Sequence, residues 1–407
     1  MTSIKKPTYV ILRGGTSGGT GTLSLRIGTW LVDNGYDVIY ICQIINDINI
    51  VNSMISKGIK VHCLPLRRVL KKISMLYGKE THYVFLTYSL DEYLFVEKMK
   101  NGLSNVKSLL YVVSSRGLEK GRHRSLLLRK LIKTLYGSVV SKLDENRNII
   151  YMQESVANIT EEYYRMKIKS LPEKLYRLPM SISTFDSQRV VTKYESDSRS
   201  LLTITRASFP FKGYLIGLLK QFESLLKYNK LLKLTIITFG ENIGEVEKCI
   251  EEMKIEIKDK IELIGQTPYE ELKFYFDKSF LYIGMGTTLL DAANHSVPAL
   301  AVKSHTYECL SSGFFHDHPN RLSAEYCEET LATKLIEKTL QMDKDEYIEL
   351  CKKSHAALQS MYGIESFMDR FLKIEPIKNE SVLSRWELFV CNITKARFLK
   401  RKSNRIK

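Results

Sequence analysis

Short apolar runs of four to six residues alternate along the chain with longer stretches whose apolar positions recur every three or four residues. That alternation predicts parallel α/β units, because a strand buried on both faces reads as a continuous apolar run. Tyr9–Leu12, Val38–Cys42, Val61–Leu64, Tyr83–Leu86, Leu109–Val113 and Ile149–Met152 form a first series of strands, with a helix from about Leu23 to Asn34 after the first. The stretch Leu178-Pro179-Met180-Ser181 closes that series. A second series then begins: Leu201–Thr205, Leu234–Phe239, Ile261–Ile264, Phe280–Ile283 and Ala299–Val302. Helical patterns at Leu215–Tyr228, Glu245–Met253, Glu270–Asp277 and Thr288–Asn294 separate its strands.

The expected organisation is therefore two doubly wound domains in tandem. Residues 1–185 make the first and 201–371 the second, with the polar stretch 186–200 as a linker and 372–407 as a basic helical tail expected to pack back on the first domain. Such a pair would place a cleft at the carboxyl ends of both sets of strands, where α/β sheets bind ligands. The length of 407 residues suits two domains, and 44% hydrophobic with 26% charged residues excludes a disordered chain. No run of about 18 apolar residues predicts a membrane-spanning helix. The N-terminus lacks the apolar segment of a signal peptide, so none is expected. Seven scattered cysteines, none spaced CxxC, point to reduced thiols in a cytoplasmic protein rather than to a structural zinc site.

Charge changes the picture. The net charge of +16 is uneven: residues 116–147 hold nine Lys/Arg against three acids, and 395–407 hold seven Lys/Arg and no acid. Within the first stretch Arg124, Arg129, Lys130 and Lys133 accompany a leucine-rich flank that includes Leu126, Leu127, Leu128, Leu131, Ile132 and Leu135. Leu64 to Lys79 repeats the theme with Arg67, Arg68, Lys71 and Lys72. Basic amphipathic helices suit an anionic membrane surface. The same pattern also fits nucleic acid or a plain solvated face. Membrane contact is the expectation adopted for the four named residues, with no nucleic-acid partner.

Three segments carry candidate chemistry. After the first strand, Gly14 to Gly21 has five glycines in eight residues, which suits either an anion at a helix start or a close-packed turn. It lacks the Gly-Lys-Ser/Thr ending of a phosphate-binding loop. Arg206 and Lys212 follow the strand Leu201–Thr205 and could clamp two phosphates, Arg by a bidentate contact and Lys as a point charge. After Phe280–Ile283 come Gly284, Gly286, Thr287 and Thr288, again suited to phosphate, and Asp291, suited to ribose hydroxyls. Thr288 and Asp291 also fit a capping box. The histidines, His316 and His318 among them, show no ligand spacing, so no metal and no cofactor is expected.

These residues resemble the retaining group 1 (family 4) glycosyltransferases, which have the GT-B fold of two Rossmann-like doubly wound parallel sheets facing across a cleft. Gly18-Gly19 leads to Gly35-Tyr36-Asp37-Val38 at the family's spacing, and Leu178–Ser181 stands where the family has Pro-Asn-Gly. Arg206 and Lys212-Gly213 resemble its Arg…Lys-Gly donor-phosphate pair, and Gly240 and Gly265 its inter-strand glycines. Ile283–Asp291 followed by Val297-Pro298 resembles its Glu-Gly-x-Gly…Glu segment, with Ile283 for the first Glu and the shorter Asp291 for the second. Gly21-Thr22 replaces the Glu-Arg after its first glycines.

The resemblance implies a glycosyltransferase that takes a sugar from a nucleoside-diphosphate sugar to a growing, lipid-linked surface glycan, with retention, on the inner face of the membrane. Arg206 and Lys212 would stabilise the leaving diphosphate, and Gly18, Gly19, Gly284, Gly286, Thr287, Thr288 and Asp291 would hold the donor. A non-catalytic nucleotide-sugar-binding scaffold and a GT-B-fold UDP-sugar epimerase using Glu241 or Asp91 share the same pattern.

Overall fold

The computed structural model describes residues 6–16, 19–114, 118, 126–324, 328–374, 383–384 and 387–388, the side chains of 126–128 excepted. The chain divides into two compact units, residues 1–181 with 364–407, and residues 182–363.

The first unit runs β1 (Thr8–Gly15), α1 (Gly19–Asp33), β2 (Val38–Ile44), α2 (Ile48–Ser56), β3 (Lys60–Cys63), α3 (Leu66–Tyr77), β4 (His82–Thr87), α4 (Leu90–Met99), β5 (Asn105–Val112), α5 (Leu126–Glu145), β6 (Ile149–Tyr151), α6 (Glu154–Tyr164) and α7 (Leu171–Lys174). Its sheet is parallel throughout, in the order β3-β2-β1-β4-β5-β6. Val10, Leu12, Ile39, Ile41 and Phe85 pack under α3 and α4 in one apolar cluster. Burial on both faces explains why these strands read as unbroken apolar runs. Ser89 and Glu92 close a capping box on α4, which fixes where that helix starts.

The second unit runs α8 (Ser187–Glu195), β7 (Ser200–Arg206), α9 (Tyr214–Leu225), β8 (Lys233–Phe239), α10 (Ile243–Glu251), α11 (Ile255–Lys258), β9 (Ile261–Ile264), α12 (Leu272–Lys278), β10 (Leu281–Gly284), α13 (Thr288–Asn294), β11 (Ala299–Val302), β12 (Leu310–Phe314), β13 (Thr330–Leu331), α14 (Ala332–Gln341) and α15 (Lys344–Tyr362). Its order is β13-β12-β11-β10-β7-β8-β9. The five strands β7 to β11 are parallel, and β12 and β13 extend the sheet antiparallel past a register shift at Ala301/Val302.

Two stretches differ from the expected organisation. Residues 186–200, expected as a linker, carry α8, which Asp186 caps by accepting from the Arg189 N–H at 2.9 Å. Val190 and Lys193 of α8 are buried in the second unit. The return to the first unit comes at Ile364 rather than beyond 371, as α16 (Ile364–Phe371). Phe371 lies 6.1 Å from the Tyr9 ring, and Phe367 lies 5.9 Å from Tyr111 and 5.8 Å from Tyr176. Of the tail beyond, Leu383 and Leu388 are buried in the α4–α5 cluster. Residues 375–382, 385–386 and 389–407 lie outside the described set.

Candidate functional site

In the second sheet the strand sequence reverses between β7 and β10: the chain runs outward through β8 and β9, then returns to the other side of β7. At such a switch point the two outgoing loops diverge and leave a crevice at the carboxyl edge. Arg206 ends β7 there, Gly284 ends β10, and Gly240 follows β8.

The β7–α9 turn is tied to its neighbour rather than free. Ala207 N–H donates to Phe239 O at 2.7 Å, Asn242 N–H to Ala207 O at 3.2 Å, and Phe209 N–H to Asn242 Oδ1 at 2.9 Å. Gly240, at φ +125°, is required: a Cβ there would stand 2.7 Å from Ala207 O and 3.0 Å from Arg206 Cγ. The Arg206 side chain emerges from this braced turn, exposed, and makes no hydrogen bond or ion pair among the described residues. Lys212 is half-buried on the same turn, its Nζ 5.0 Å from the Phe211 ring centroid. Gly213 lets the turn close on the 304–307 segment, since a Cβ would lie 2.6 Å from Thr306 O.

The β10–α13 turn is built over a tyrosine. Tyr282 is fully buried, and its hydroxyl bonds Ile204 O at 3.2 Å and Thr288 Oγ1 at 2.5 Å. A phenol has one proton to give. Either hydroxyl can donate across the Tyr282–Thr288 contact, and Thr288 Oγ1 also reaches Met285 O at 3.4 Å, so both bonds hold Thr288 inward. Burial, the largest influence, holds that phenol protonated by pushing its pKa well above the ordinary value. Gly284 is the steric counterpart: a Cβ there would meet the Tyr282 hydroxyl at 2.3 Å. Gly286 adopts φ +86° and its N–H donates to Leu322 O at 2.6 Å. Thr287 is exposed and makes no side-chain capping bond. The helix start thus falls on Thr287, one residue before the Thr288 of the expected capping box. Asp291, expected to face ribose hydroxyls, is only 6% exposed and accepts the Tyr269 hydroxyl at 2.8 Å.

The first sheet reverses between β1 and β4. Its crevice is organised by Glu92, a residue whose part in the glycine turn was not anticipated. One carboxylate oxygen accepts Gly14 N–H at 2.9 Å, and the other accepts Tyr88 and Ser89 N–H, each at 3.1 Å. Burial raises the Glu92 pKa and these bonds oppose the rise. Arg13 lies 5.9 Å from the Tyr88 ring centroid, and its Nη1 is buried with no hydrogen-bond partner among the described residues. Gly21 is needed for packing, since a Cβ would lie 2.1 Å from Thr16 O, whereas Gly19 is exposed with nothing within 4 Å among the described residues. Gly18 lies outside the described residues.

No family model matches the chain, and no curated protein matches its sequence. Solved structures match along nearly its whole length. A glycosyltransferase from Rickettsia africae gives a TM-score of 0.64 at 12% identity, covering 94% of this chain and 100% of that one. A variant of S. aureus TarM, solved with fondaparinux, α-GlcNAc-glycerol and UDP, gives 0.59 at 11% identity over 90% and 99%. Anabaena HepE, solved with UDP and glucose, gives 0.57 at 10% identity over 90% and 99%. The chain has the GT-B fold.

In this GT-B chain the basic helices divide their faces. On α5, Ile132 of the expected apolar flank is buried together with Tyr136, Val139, Val140 and Leu143, and Leu135 packs against them; the side chains of Leu126, Leu127 and Leu128 lie outside the described set. Leu131 remains 67% exposed beside exposed Arg129 and Lys130, while Lys133 Nζ sits 4.4 Å from the Tyr163 ring centroid. Arg124 lies outside the described residues. On α3, Val69 and Ile73 are buried, and Arg67, Arg68, Lys71, Met75 and Leu76 are exposed. No described helix is long and apolar enough to cross a membrane.

Proposed function

We propose that this GT-B chain is a glycosyltransferase that takes its sugar from a nucleoside-diphosphate donor bound at the carboxyl edge of the second sheet. The observation that carries the reading is Arg206: an exposed guanidinium on a braced turn, at the switch point between β7 and β10. The TarM and HepE structures named above were solved with UDP, which supports a uridine-type donor as the first to test.

In this mechanism Arg206 and Lys212 stabilise the charge that develops on the leaving diphosphate as the bond to the sugar breaks. The turn at Gly284, Gly286, Thr287 and Thr288 faces the same group, with Thr287 the more open hydroxyl and Thr288 turned inward. The acceptor is a growing, lipid-linked surface glycan bound by the first unit. Transfer proceeds with retention, the leaving phosphate accepting the proton of the attacking hydroxyl. The exposed cations of α5 and α3 hold the enzyme on the anionic inner face of the membrane, each contributing about 1 kcal/mol.

The test is release of nucleoside diphosphate from UDP-, GDP-, ADP- and dTDP-sugars in the presence of a lipid-linked glycan acceptor. At least one donor should turn over, and EDTA should leave the rate unchanged because the cationic side chains already face the diphosphate. Turnover of none, or strict dependence on a divalent ion, contradicts the mechanism. For the membrane, flotation on anionic liposomes should weaken with salt and be lost when Arg124, Arg129, Lys130 and Lys133 are replaced by Glu. Equal flotation on zwitterionic vesicles contradicts that part.

A further inference from the structure

The loop after β9 carries an aromatic side chain in an unusual setting. Gly265, Gln266, Pro268 and Tyr269 are exposed at the carboxyl end of that strand, on the same edge as Arg206 and Gly284. Tyr269 keeps 47% of its surface open, yet its tip is not loose: the hydroxyl donates to Oδ1 of Asp291, which is buried in the first turn of α13. A flat ring is thus held by one end beside the β10–α13 turn. The Phe211 ring on the same edge is engaged differently, with Lys212 5.0 Å and the His305 ring 4.9 Å from its centroid.

We infer that Tyr269 is the stacking platform for the nucleobase of the donor, and that Asp291 positions this ring instead of binding the ribose. The inference rests on the donor reading above. Three physical points support it. Every nucleobase has a π-face, and stacking on an aromatic side chain strengthens binding without requiring a matched hydrogen-bond pattern. A ring already fixed at its hydroxyl loses little rotamer freedom when a ligand covers it, so more of the contact appears as affinity. The Asp291 oxygen that a ribose hydroxyl would need is at least partly committed to the phenol, in a side chain with almost no open surface.

The test is calorimetric titration of the full chain with UDP, UDP-glucose and inorganic pyrophosphate. Tyr269→Ala should weaken UDP and UDP-glucose alike by about tenfold to a hundredfold, the range for one lost stacking contact. It should leave pyrophosphate affinity unchanged. Tyr269→Phe keeps the ring and should stay within about threefold of wild type by the same argument. Asp291→Ala should match Tyr269→Phe in size and add nothing in a Tyr269→Ala background, because it acts through the ring.

Three outcomes overturn the assignment. Tyr269→Ala binding UDP like wild type removes the platform. Loss with UDP-glucose but not with UDP means that the ring meets the sugar. A loss for Asp291→Ala of tenfold or more, with Tyr269→Phe unchanged, returns the ribose to Asp291. If the wild-type chain binds none of the three while Arg206→Ala is equally inert, the donor reading itself fails and takes this inference with it.

Discussion

The two sheets reverse direction in the same way, but their crevices are finished differently. In the first unit the edge between β1 and β4 is turned on itself: Glu92 takes the Gly14 N–H that an anion would want, and its other oxygen takes two more from Tyr88 and Ser89. Beneath it the buried Ser24 hydroxyl donates to the Tyr88 phenol at 3.2 Å. In the second unit the hydrogen bonds lie below and beside the crevice, among Tyr282, Thr288, Ile204 and Asn242. The cation and one hydroxyl are left outside. A glycine-rich turn at a switch point is thus not sufficient for a phosphate site; what matters is whether the chain has already spent the donors. By that criterion the proposed donor site belongs to the second unit, and the proposal leaves the first unit to a less anionic ligand.

The largest expected effect breaks or upholds this contrast. Arg206→Ala should lower turnover by about a hundredfold to a thousandfold, the scale for one lost transition-state charge contact, with little change in melting temperature. Full activity in the variant would show that the open crevice is not the reacting one. In the first unit, Glu92→Gln should cost about 1–3 kcal/mol in chemical denaturation, because an amide nitrogen would face at least one backbone N–H. It should leave nucleotide affinity alone. A parallel loss of affinity would mean that the closed crevice also holds the donor.

A glycine pair sharpens the comparison further. Gly284→Ala pushes a methyl group against the Tyr282 hydroxyl and should destabilise by about 1–3 kcal/mol, the usual cost of overpacking. Gly19→Ala meets open space at the start of α1 and should change stability by no more than about 1 kcal/mol, in the favourable direction. Thermal melts of the two variants decide this directly. Equal destabilisation would contradict the reading of both turns.

Much of this architecture is legible in the sequence because strands buried on both faces leave continuous apolar runs. Tyr9–Leu12 and Leu234–Phe239 announce themselves in that way. The antiparallel strands β12 and β13 do not: the first contains Ser311, Ser312 and Gly313, and the second is two residues long. The helix α8 hides for a related reason, since DSQRVVTKYE buries only Val190 and Lys193 and otherwise reads as polar linker. The Asp186 cap was the available signal. At the site, Arg206 and the glycines stand out locally because strand ends and turns are local features. Contacts across the fold are not local. Ser89-x-x-Glu92 signals a capping box, but nothing in the sequence says that Glu92 also holds Gly14, 78 residues away. The same holds for Tyr269 and Asp291, 22 residues apart on different elements.

The central claim is that the carboxyl edge of the second sheet takes a nucleoside diphosphate through Arg206. Calorimetric titration of UDP, GDP, ADP and dTDP into the wild-type chain and into Arg206→Ala tests it most directly. The account predicts saturable binding of at least one nucleotide by the wild type, weakened about tenfold to a hundredfold in the variant, as expected for one charge-assisted hydrogen bond. The same nucleotide binding both proteins with equal affinity would contradict it.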